Sequence, residues 1–171
     1  MINAIFLNME IKSQYIYNGQ TYSAHWVEND PMLNLVGGNV LHGVHAFCFY
    51  KNKVVIVYDA KKKRWTPPGG AIESGETYQQ AVIREVQEES NMKVLHQEYI
   101  GYQDVTDESG RPVRQVRSFC IVEPYAEFVS DPDGDITEIK LIAPEDFKQY
   151  VDWGNIGDEI MKRALELKNG I

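Results

Sequence analysis

The sequence predicts an α/β fold in which a central mixed sheet packs between helices. Short apolar runs rich in β-branched and aromatic residues recur along the chain, and Gly, Pro, Asn and Asp separate them, which is typical of strands joined by turns. The stretch 78–90 contains no glycine or proline and has the composition of a helix. The stretch 156–167 is amphipathic at helical spacing. Strands mixed with a few helices favour a layered α/β architecture.

The composition restricts the classes of partner. A chain of 171 residues is suited to one domain and can bury a sizeable core. Its apolar fraction of 43% and charged fraction of 25% are ordinary for a globular protein. The net charge of −8 argues against a nucleic-acid duplex or an anionic membrane as the main partner. It does not argue against a phosphorylated small molecule, because bound divalent cations reverse the local field.

Location and redox chemistry are read from the apolar runs and the cysteines. Met1 to Lys12 lacks the basic-then-apolar pattern of a signal peptide, and no apolar run approaches the length of a membrane span. The sequence therefore predicts a cytoplasmic protein with no membrane partner. Cys48 and Cys120 each lie in an apolar run and form no CxxC pair, which predicts two reduced thiols in the core.

Residues 1–40 are predicted to form an N-terminal extension with a β-hairpin packed on the core, and residues 41–171 to form the main domain. Asn18-Gly19 lies between two strand-like runs and is a strong signal for a tight hairpin turn. The extension is rich in aromatic side chains, for which plain packing is favoured over covering substrate or pairing with a second subunit. A homodimer is left open. The other elements expected here are a strand at 4–7 and loops at 29–31 and 36–39.

The main domain is predicted to contain further strands, helices and one basic loop. Lys61 to Arg64 is a basic run that favours a solvated loop, with contact to a substrate phosphate as the alternative. A proline in the first turn favours a helix at 144–150, and another helix is expected at 156–167. Pro124 suggests an edge or bend in its strand. The predicted strands are 44–50, 54–58, 71–72, 92–103, 117–128 and 138–142.

The helix at 78–90 carries its own start and stop signals. Thr77 is predicted to be the N-cap, and Gln80 completes a capping box. Asn91 tolerates a left-handed backbone and is predicted to end the helix. At about 100° per residue, three apolar side chains share one arc of the helix. They are Val82, Ile83 and Val86.

The same helix concentrates charge within six residues. Glu85, Glu88 and Glu89 are three and four residues apart, so their carboxylates share an arc and repel each other. Arg84 lies four residues before Glu88, so we expect that carboxylate to be partly paired. Carboxylate oxygens are hard ligands that Mg²⁺ and Mn²⁺ prefer, which favours a metal site. Three glutamates on one face are, taken alone, also typical of a solvated surface.

The spacing of these residues resembles a known motif. Gly70, five residues, Glu76, seven residues, then 84–89 and Asn91-Met92 is similar to the Nudix box, and Trp65 to Gly70 resembles the usual approach to it. The departure is Asn91, which stands where the family has a late glycine. The box therefore runs from Gly70 to Met92. The resemblance implies an α/β/α sandwich with a central mixed sheet, in which Gly69 and Gly70 lie where a Cβ does not fit.

The Nudix resemblance also implies a reaction and its residues. It implies that Mg²⁺, or Mn²⁺, supports hydrolysis of a phosphoanhydride in a nucleoside diphosphate linked to another group. The metal site implied is Glu85, Glu88 and Glu89 with Gly70, and one glutamate doubles as base. The catalytic set implied is Glu85 and Glu88 with Arg84 and Glu76, of which the last two orient the others rather than react.

Residues outside the box are weaker candidates. Asp135 or Glu138 lies where the family often has a further carboxylate, although ordinary surface charges are the favoured interpretation. His42 and His45 precede a core strand and are placed to approach substrate, but a surface or core role is favoured for each. The aromatic side chains proposed to stack on a base are Tyr50, Trp65 and Phe119.

Three functions compete on these observations. The favoured one is a metal-dependent nucleotide pyrophosphohydrolase. The alternative is a catalytically silent Nudix-fold module that binds or senses a nucleotide, against which the intact glutamates argue. The third is a related-fold isomerase that uses a cysteine, against which the apolar surroundings of Cys48 and Cys120 argue. The sequence leaves nucleoside triphosphates, dinucleoside polyphosphates and nucleotide sugars open as substrates.

Overall fold

The computed structural model describes residues 9–28 and 41–171, so the strand expected at 4–7 and the loops expected at 29–31 and 36–39 lie outside the described residues. Within the described ranges the chain forms eight strands and three α-helices. The strands are β1 (Glu10–Tyr17), β2 (Gln20–Glu28), β3 (Leu41–Tyr50), β4 (Lys53–Asp59), β5 (Arg64–Thr66), β6 (Met92–Thr106), β7 (Pro112–Pro124) and β8 (Ile136–Ile142). The helices are α1 (Tyr78–Ser90), α2 (Phe147–Tyr150) and α3 (Gly154–Asn169).

The strands form one mixed sheet, as predicted. Their order is β1-β2-β6-β7-β3-β4-β5, and β8 pairs with β4. The pair β3 and β7 is parallel, whereas the other neighbours are antiparallel. In the parallel pair His45 lies opposite Arg117 and Cys48 lies opposite Cys120. This register brings side chains from the start and the middle of the domain onto one line across the sheet.

Helices cover both faces of the sheet, so the predicted α/β/α sandwich is confirmed. Strand β3 alternates between the two layers, as the period of two residues requires. On one face its side chains pack against α1, and the buried group is Val44, Ala46, Cys48, Ala81, Val82 and Val86. On the other face they pack against α3, and the buried group includes Phe47, Phe49, Ile156, Ile160 and Ala164.

The N-terminal hairpin extends the sheet and curves over it. Asn18 and Gly19 both have positive φ, as the predicted tight turn requires. Trp26 is fully buried in the α3 layer, and β2 pairs with β6. The Arg64 guanidinium lies 5.6 Å from the centre of the Tyr17 ring, although β1 and β5 are the first and last strands in the order. The hairpin therefore curves across the α3 face; the domain division at residue 40 stays a prediction.

The structure corrects several predicted boundaries. The stretch 71–72 is not a strand but a single bridge between Gly43 and Ala71. The strands predicted at 92–103 and 117–128 instead pair from Met92 opposite Pro124 to Thr106 opposite Pro112. The strands are therefore longer than predicted at the end near Thr106 and Pro112, and β7 stops at Pro124 rather than at residue 128. The segment 144–150 is a 3₁₀ turn followed by the four-residue α2, not one helix.

The signals around α1 are confirmed, with one exception on its apolar face. The Thr77 side chain accepts a hydrogen bond from the Gln80 N–H at 3.2 Å, and the Gln80 side chain accepts one from the Thr77 N–H at 2.9 Å. Asn91 ends the helix with φ 53°. Ile83 is 48% exposed, so its predicted place on the buried arc with Val82 is wrong. Residue 83 lies one step of about 100° further round the helix, which turns it out of the layer.

The two cysteines are free and fully buried, as predicted. Burial raises the pKa of the Cys48 thiol well above its ordinary value, and a hydrogen bond with Cys120 adds to the shift. The Cys48 thiol is therefore not suited to act as a nucleophile at neutral pH, and Cys120 is fully buried as well. Among the described helices, none has both the length and the apolar composition needed to cross a membrane.

Candidate active site

The glycine loop lies against the edge of β3. The carbonyl oxygens of Pro68 and Gly70 accept hydrogen bonds from the N–H groups of Ala46 at 2.8 Å and Val44 at 2.9 Å. A Cβ on Gly69 would lie 2.2 Å from the Val44 carbonyl oxygen, which is backbone and cannot rotate away. A Cβ on Gly70 would lie 2.4 Å from a Glu85 carboxylate oxygen. Both glycines therefore permit a close approach, one to β3 and the other to α1.

Arg84 joins the loop to the helix. Its Nε and Nη2 each donate to a separate oxygen of Glu76 at 2.9 Å, and Nη2 also donates to the Ala71 carbonyl at 2.9 Å. Its Nη1 donates to Glu85 at 2.7 Å and to Glu88 at 3.3 Å. These bonds raise the pKa of Arg84 and, mainly through the paired fork, lower that of Glu76. The predicted pairing with Glu88 is present but is the longest of the set.

Glu89 contacts the loop through a backbone group rather than through Arg84. The Gly69 N–H donates to its Oε2 at 2.8 Å. Burial nevertheless raises the pKa of Glu89 to about 8, and the nearby charges of Glu85 and Asp131 add to the shift. Burial also raises the pKa of Glu85, against the pull of Arg84. The site thus holds carboxylates whose negative charge the protein only partly compensates.

The donor set suits a hard divalent cation, although the side chains do not form a finished site. Among residues 9–28 and 41–171, no three His, Cys, Asp or Glu side chains converge into a group able to hold a metal ion. In this structure the Arg84 guanidinium, itself a cation, bridges Glu85 and Glu88. Hard oxygen donors on neighbouring turns of α1, beside a loop without a Cβ at residue 70, fit Mg²⁺ or Mn²⁺ chemically.

Comparison with known proteins identifies the family. A family model described as the NUDIX domain matches residues 41–164. The chain belongs to the Nudix family. No curated protein matches this Nudix chain.

Solved structures similar to this Nudix protein share its fold at low sequence identity. A mutant of the Bacillus subtilis pyrophosphohydrolase BsRppH is 17% identical with a TM-score of 0.68, over 93% of this chain and 97% of that one. A NUDIX hydrolase from Nitrosomonas europaea is 19% identical with a TM-score of 0.59, over 75% and 91%. A C. elegans Ap4A hydrolase is 18% identical with a TM-score of 0.54, over 75% and 99%. The BsRppH match extends over the N-terminal hairpin region as well.

The carboxylates proposed outside the Nudix box have other partners. Asp135 forms an ion pair with Lys61 at 3.7 Å, and Glu138 lies on β8 opposite Tyr58. In the part of the chain that the structure describes, neither makes a hydrogen bond or ion pair with a box residue. Asp131, which the sequence analysis did not select, is buried and close enough to raise the pKa of Glu89.

The histidines and aromatic side chains proposed as substrate contacts outside the Nudix box differ in how far they are exposed to solvent. Both histidines lie within β3 rather than before it; His42 is exposed and His45 is partly exposed. The ring of His45 meets Trp153 edge-on at 5.2 Å. Phe119 is fully buried, so it offers no face to a base, whereas Trp65 contacts two tyrosines at the surface.

Proposed function

We propose that this protein is a metal-dependent pyrophosphohydrolase that cleaves a phosphoanhydride bond of a nucleotide-type substrate. The observation that carries the proposal is the network around Arg84, which joins the loop residue Glu76 to Glu85 and Glu88. Membership of the Nudix family and a fold shared with pyrophosphohydrolases support it. The C. elegans protein is an Ap4A hydrolase, which supports keeping dinucleoside polyphosphates in the proposed substrate class.

The protein's own residues are proposed to act in two sets. Glu85, Glu88 and Glu89 would hold Mg²⁺ or Mn²⁺ beside Gly70. When bound, the cation would neutralise phosphate charge and favour attack by water. Glu76 and Arg84 would fix the loop against α1, so that the carboxylates keep their places during the reaction. One of the three glutamates would accept the proton that the attacking water loses.

A catalytically silent nucleotide-binding module remains the second candidate. A binder gains nothing from carboxylates whose charge is left partly uncompensated, as the raised pKa values of Glu85 and Glu89 indicate. A cytoplasmic location and a homodimer stay predictions from the sequence, as do Asp135 and Glu138 as further ligands.

The test is a panel of nucleoside triphosphates, dinucleoside polyphosphates and nucleotide sugars, assayed by phosphate or pyrophosphate release with Mg²⁺, Mn²⁺ or a chelator. We expect turnover with metal and none with chelator. Glu85→Gln and Glu88→Gln should each lose more than about 100-fold in kcat/KM, because losing a ligand exceeds the cost of losing an outer contact.

The matched control is Glu166→Gln on α3, where a helical glutamate likewise accepts from an arginine, Arg163, at 2.9 Å. It should retain full activity. Turnover that persists in folded Glu85→Gln and Glu88→Gln would contradict the assignment of these glutamates. No turnover of any substrate with either metal would favour the silent module.

A further inference from the structure

Arg117 is a buried cation that has no carboxylate partner among the described residues. It lies in the middle of β7 and is 2% exposed. Its Nη2 donates to the side-chain oxygens of Gln103 and Gln115, both at 2.9 Å. Its Nη1 contacts His45 Nδ1 at 3.2 Å and the Val116 carbonyl at 3.4 Å. All four partners are neutral or weakly basic, and the buried Nε has no partner among the described residues.

A second arginine on the same strand shows how the chain treats a paired charge. Arg114 donates through Nε and Nη2 to the two carboxylate oxygens of Asp104, both at 2.8 Å. The period of two residues places Arg114 and Arg117 on opposite faces of the sheet. Burying a charge without a counter-ion costs several kcal/mol. Because the described residues offer Arg117 no carboxylate, an anion from outside the protein would offset this cost.

The surroundings of Arg117 are cationic and aromatic. Its guanidinium carbon lies 5.1 Å from the centre of the Trp153 ring, and Trp153 and His45 both keep part of their surface exposed. Burial lowers the pKa of His45 well below its ordinary value, and the charges of Arg117, Arg64 and Lys62 lower it further. Three cations therefore act on one partly exposed imidazole.

The N-terminal hairpin contributes a tyrosine near these cations. Burial raises the pKa of the Tyr15 hydroxyl, and the charges of Arg64 and Arg117 oppose that shift. Tyr15 therefore lies close to both cations. The hairpin also places the Tyr17 ring 5.6 Å from the Arg64 guanidinium.

This group of basic and aromatic side chains adjoins the carboxylates of the Nudix box. A Cβ on Gly69 would lie 2.8 Å from the His45 Cα, and the N–H of the same glycine holds Glu89. The loop thus separates a group of acidic side chains from a group of basic ones. A substrate that carries several phosphates has the charge to use both sides at once.

We propose that Arg117 binds a phosphate group of the substrate, beside His45, Trp153 and Tyr15. The inference rests on the proposed function, since it names the part of the site that takes the phosphates away from the metal. Four acceptors fix the guanidinium in advance, so little side-chain freedom is lost on binding. The fifth N–H, on the buried Nε, has no partner among the described residues, and a phosphate oxygen that enters beside it would meet both this donor and the charge.

The first test is a titration of wild-type protein with pyrophosphate in the presence of a chelator, followed by NMR of the arginine Nε–H signals. The chelator removes the metal, so the result does not depend on hydrolysis. We expect the Arg117 signal to shift and that of Arg114, already bonded to Asp104, to stay. No shift at Arg117 up to millimolar pyrophosphate would overturn the proposal.

The second test compares Arg117→Met with the matched control Arg114→Met in the same titration, read by calorimetry. Losing a charged hydrogen bond should weaken pyrophosphate binding by about 10- to 100-fold in Arg117→Met, with no change in Arg114→Met. Equal affinity of folded Arg117→Met and wild type would overturn the proposal.

The phosphate site at Arg117 and the proposed hydrolysis can each be disproved while the other stands. If Mg²⁺-dependent hydrolysis is present and Arg117→Met leaves KM unchanged, the phosphate site is wrong and the enzyme stands. If pyrophosphate binds at Arg117 but no substrate is hydrolysed, the site stands and the reaction is wrong. The NMR titration needs no variant, so a folding defect in Arg117→Met leaves the proposal testable.

Discussion

Arg84 and Arg117 are two enclosed arginines that the chain treats in opposite ways. Arg84 meets three carboxylates, those of Glu76, Glu85 and Glu88. Arg117 meets none among the described residues and is held by neutral amides and an imidazole. The first arginine offsets charge within the protein, whereas the second keeps its charge uncompensated. The difference indicates that one guanidinium serves the architecture of the box and the other is available to a ligand.

The largest expected difference is between Arg84→Met and Arg117→Met. Removing Arg84 leaves carboxylates crowded and unpaired, so we expect the free energy of unfolding to fall by roughly 1–3 kcal/mol. Activity should fall by about 10- to 100-fold, because the hydrogen bonds of Arg84 no longer connect the loop to α1. Removing Arg117 deletes a charge that has no carboxylate partner but also releases the Gln103 and Gln115 side chains, so we expect a smaller loss of stability, of about 1 kcal/mol.

The measurements are urea unfolding monitored by circular dichroism and kcat/KM under saturating Mg²⁺. Arg114→Met, which breaks an ion pair on the opposite face, serves as the stability control. If Arg117→Met proved the more destabilising of the two, the contrast between the arginines would collapse, and Arg117 would be a structural residue.

Gly69 and Gly70 allow the same comparison to be made within one loop, because Gly69 contacts the β3 backbone and Gly70 faces Glu85. In Gly69→Ala the new Cβ meets the Val44 carbonyl and the His45 backbone, which cannot yield. We expect a stability loss of roughly 1–3 kcal/mol. In Gly70→Ala the Cβ meets only the end of the Glu85 side chain, which can rotate. We therefore expect little change in stability but a clear fall in metal-dependent activity.

Thermal melts and Mg²⁺ titrations of activity separate these two outcomes. Gly75→Ala is a useful reference, since open space surrounds that glycine and the change only strains its positive φ. Equal melting temperatures for Gly69→Ala and Gly70→Ala would contradict the expected clash between a Cβ at residue 69 and the β3 backbone.

The smallest expected effect concerns Glu89, the box carboxylate that Arg84 does not contact. Its pKa rises from 4.5 to about 8 on folding, so the folded state binds more protons between these values. In the presence of a chelator, the free energy of unfolding should therefore fall as pH rises through that window. Because the side chain keeps part of its surface exposed, we expect a change on the order of 1 kcal/mol.

Thermal melts across that window check this prediction. Glu89→Gln cannot titrate and should flatten the pH dependence, while Glu166→Gln should retain the wild-type slope. Added Mg²⁺ should reverse the decline, since a bound cation favours the ionised carboxylate. An unchanged slope in Glu89→Gln would assign the pH dependence to another group.

The contrast also explains what the sequence could and could not predict. The caps of α1, the Arg84 pair with Glu88 and the mixed sheet follow from local spacing, so they were predictable. The contact between Arg117 and His45 joins residues 72 positions apart and depends on the parallel register of β3 and β7. No local pattern encodes that register.

Two other features could not be predicted from the sequence for the same reason. Asp131 reads as part of a turn, and only the packing of that turn brings it towards Glu89. The curvature of the hairpin, which carries Tyr17 to Arg64, depends on how β2 joins the sheet. The boundary error at Pro124 is different in kind, because the proline ends the strand instead of bending it: its nitrogen has no hydrogen to donate to a neighbouring strand.

The asparagine at the end of α1 does more than replace a glycine. Asn91 takes the left-handed backbone there, and its side-chain amide donates to the Glu127 carbonyl at 3.1 Å. The Asn91 carbonyl in turn accepts from the Tyr125 N–H at 3.0 Å. A glycine would keep the bend but release one of these two tethers. The departure from the family motif therefore ties the segment after β7 to the end of α1 through a side chain that a glycine does not have.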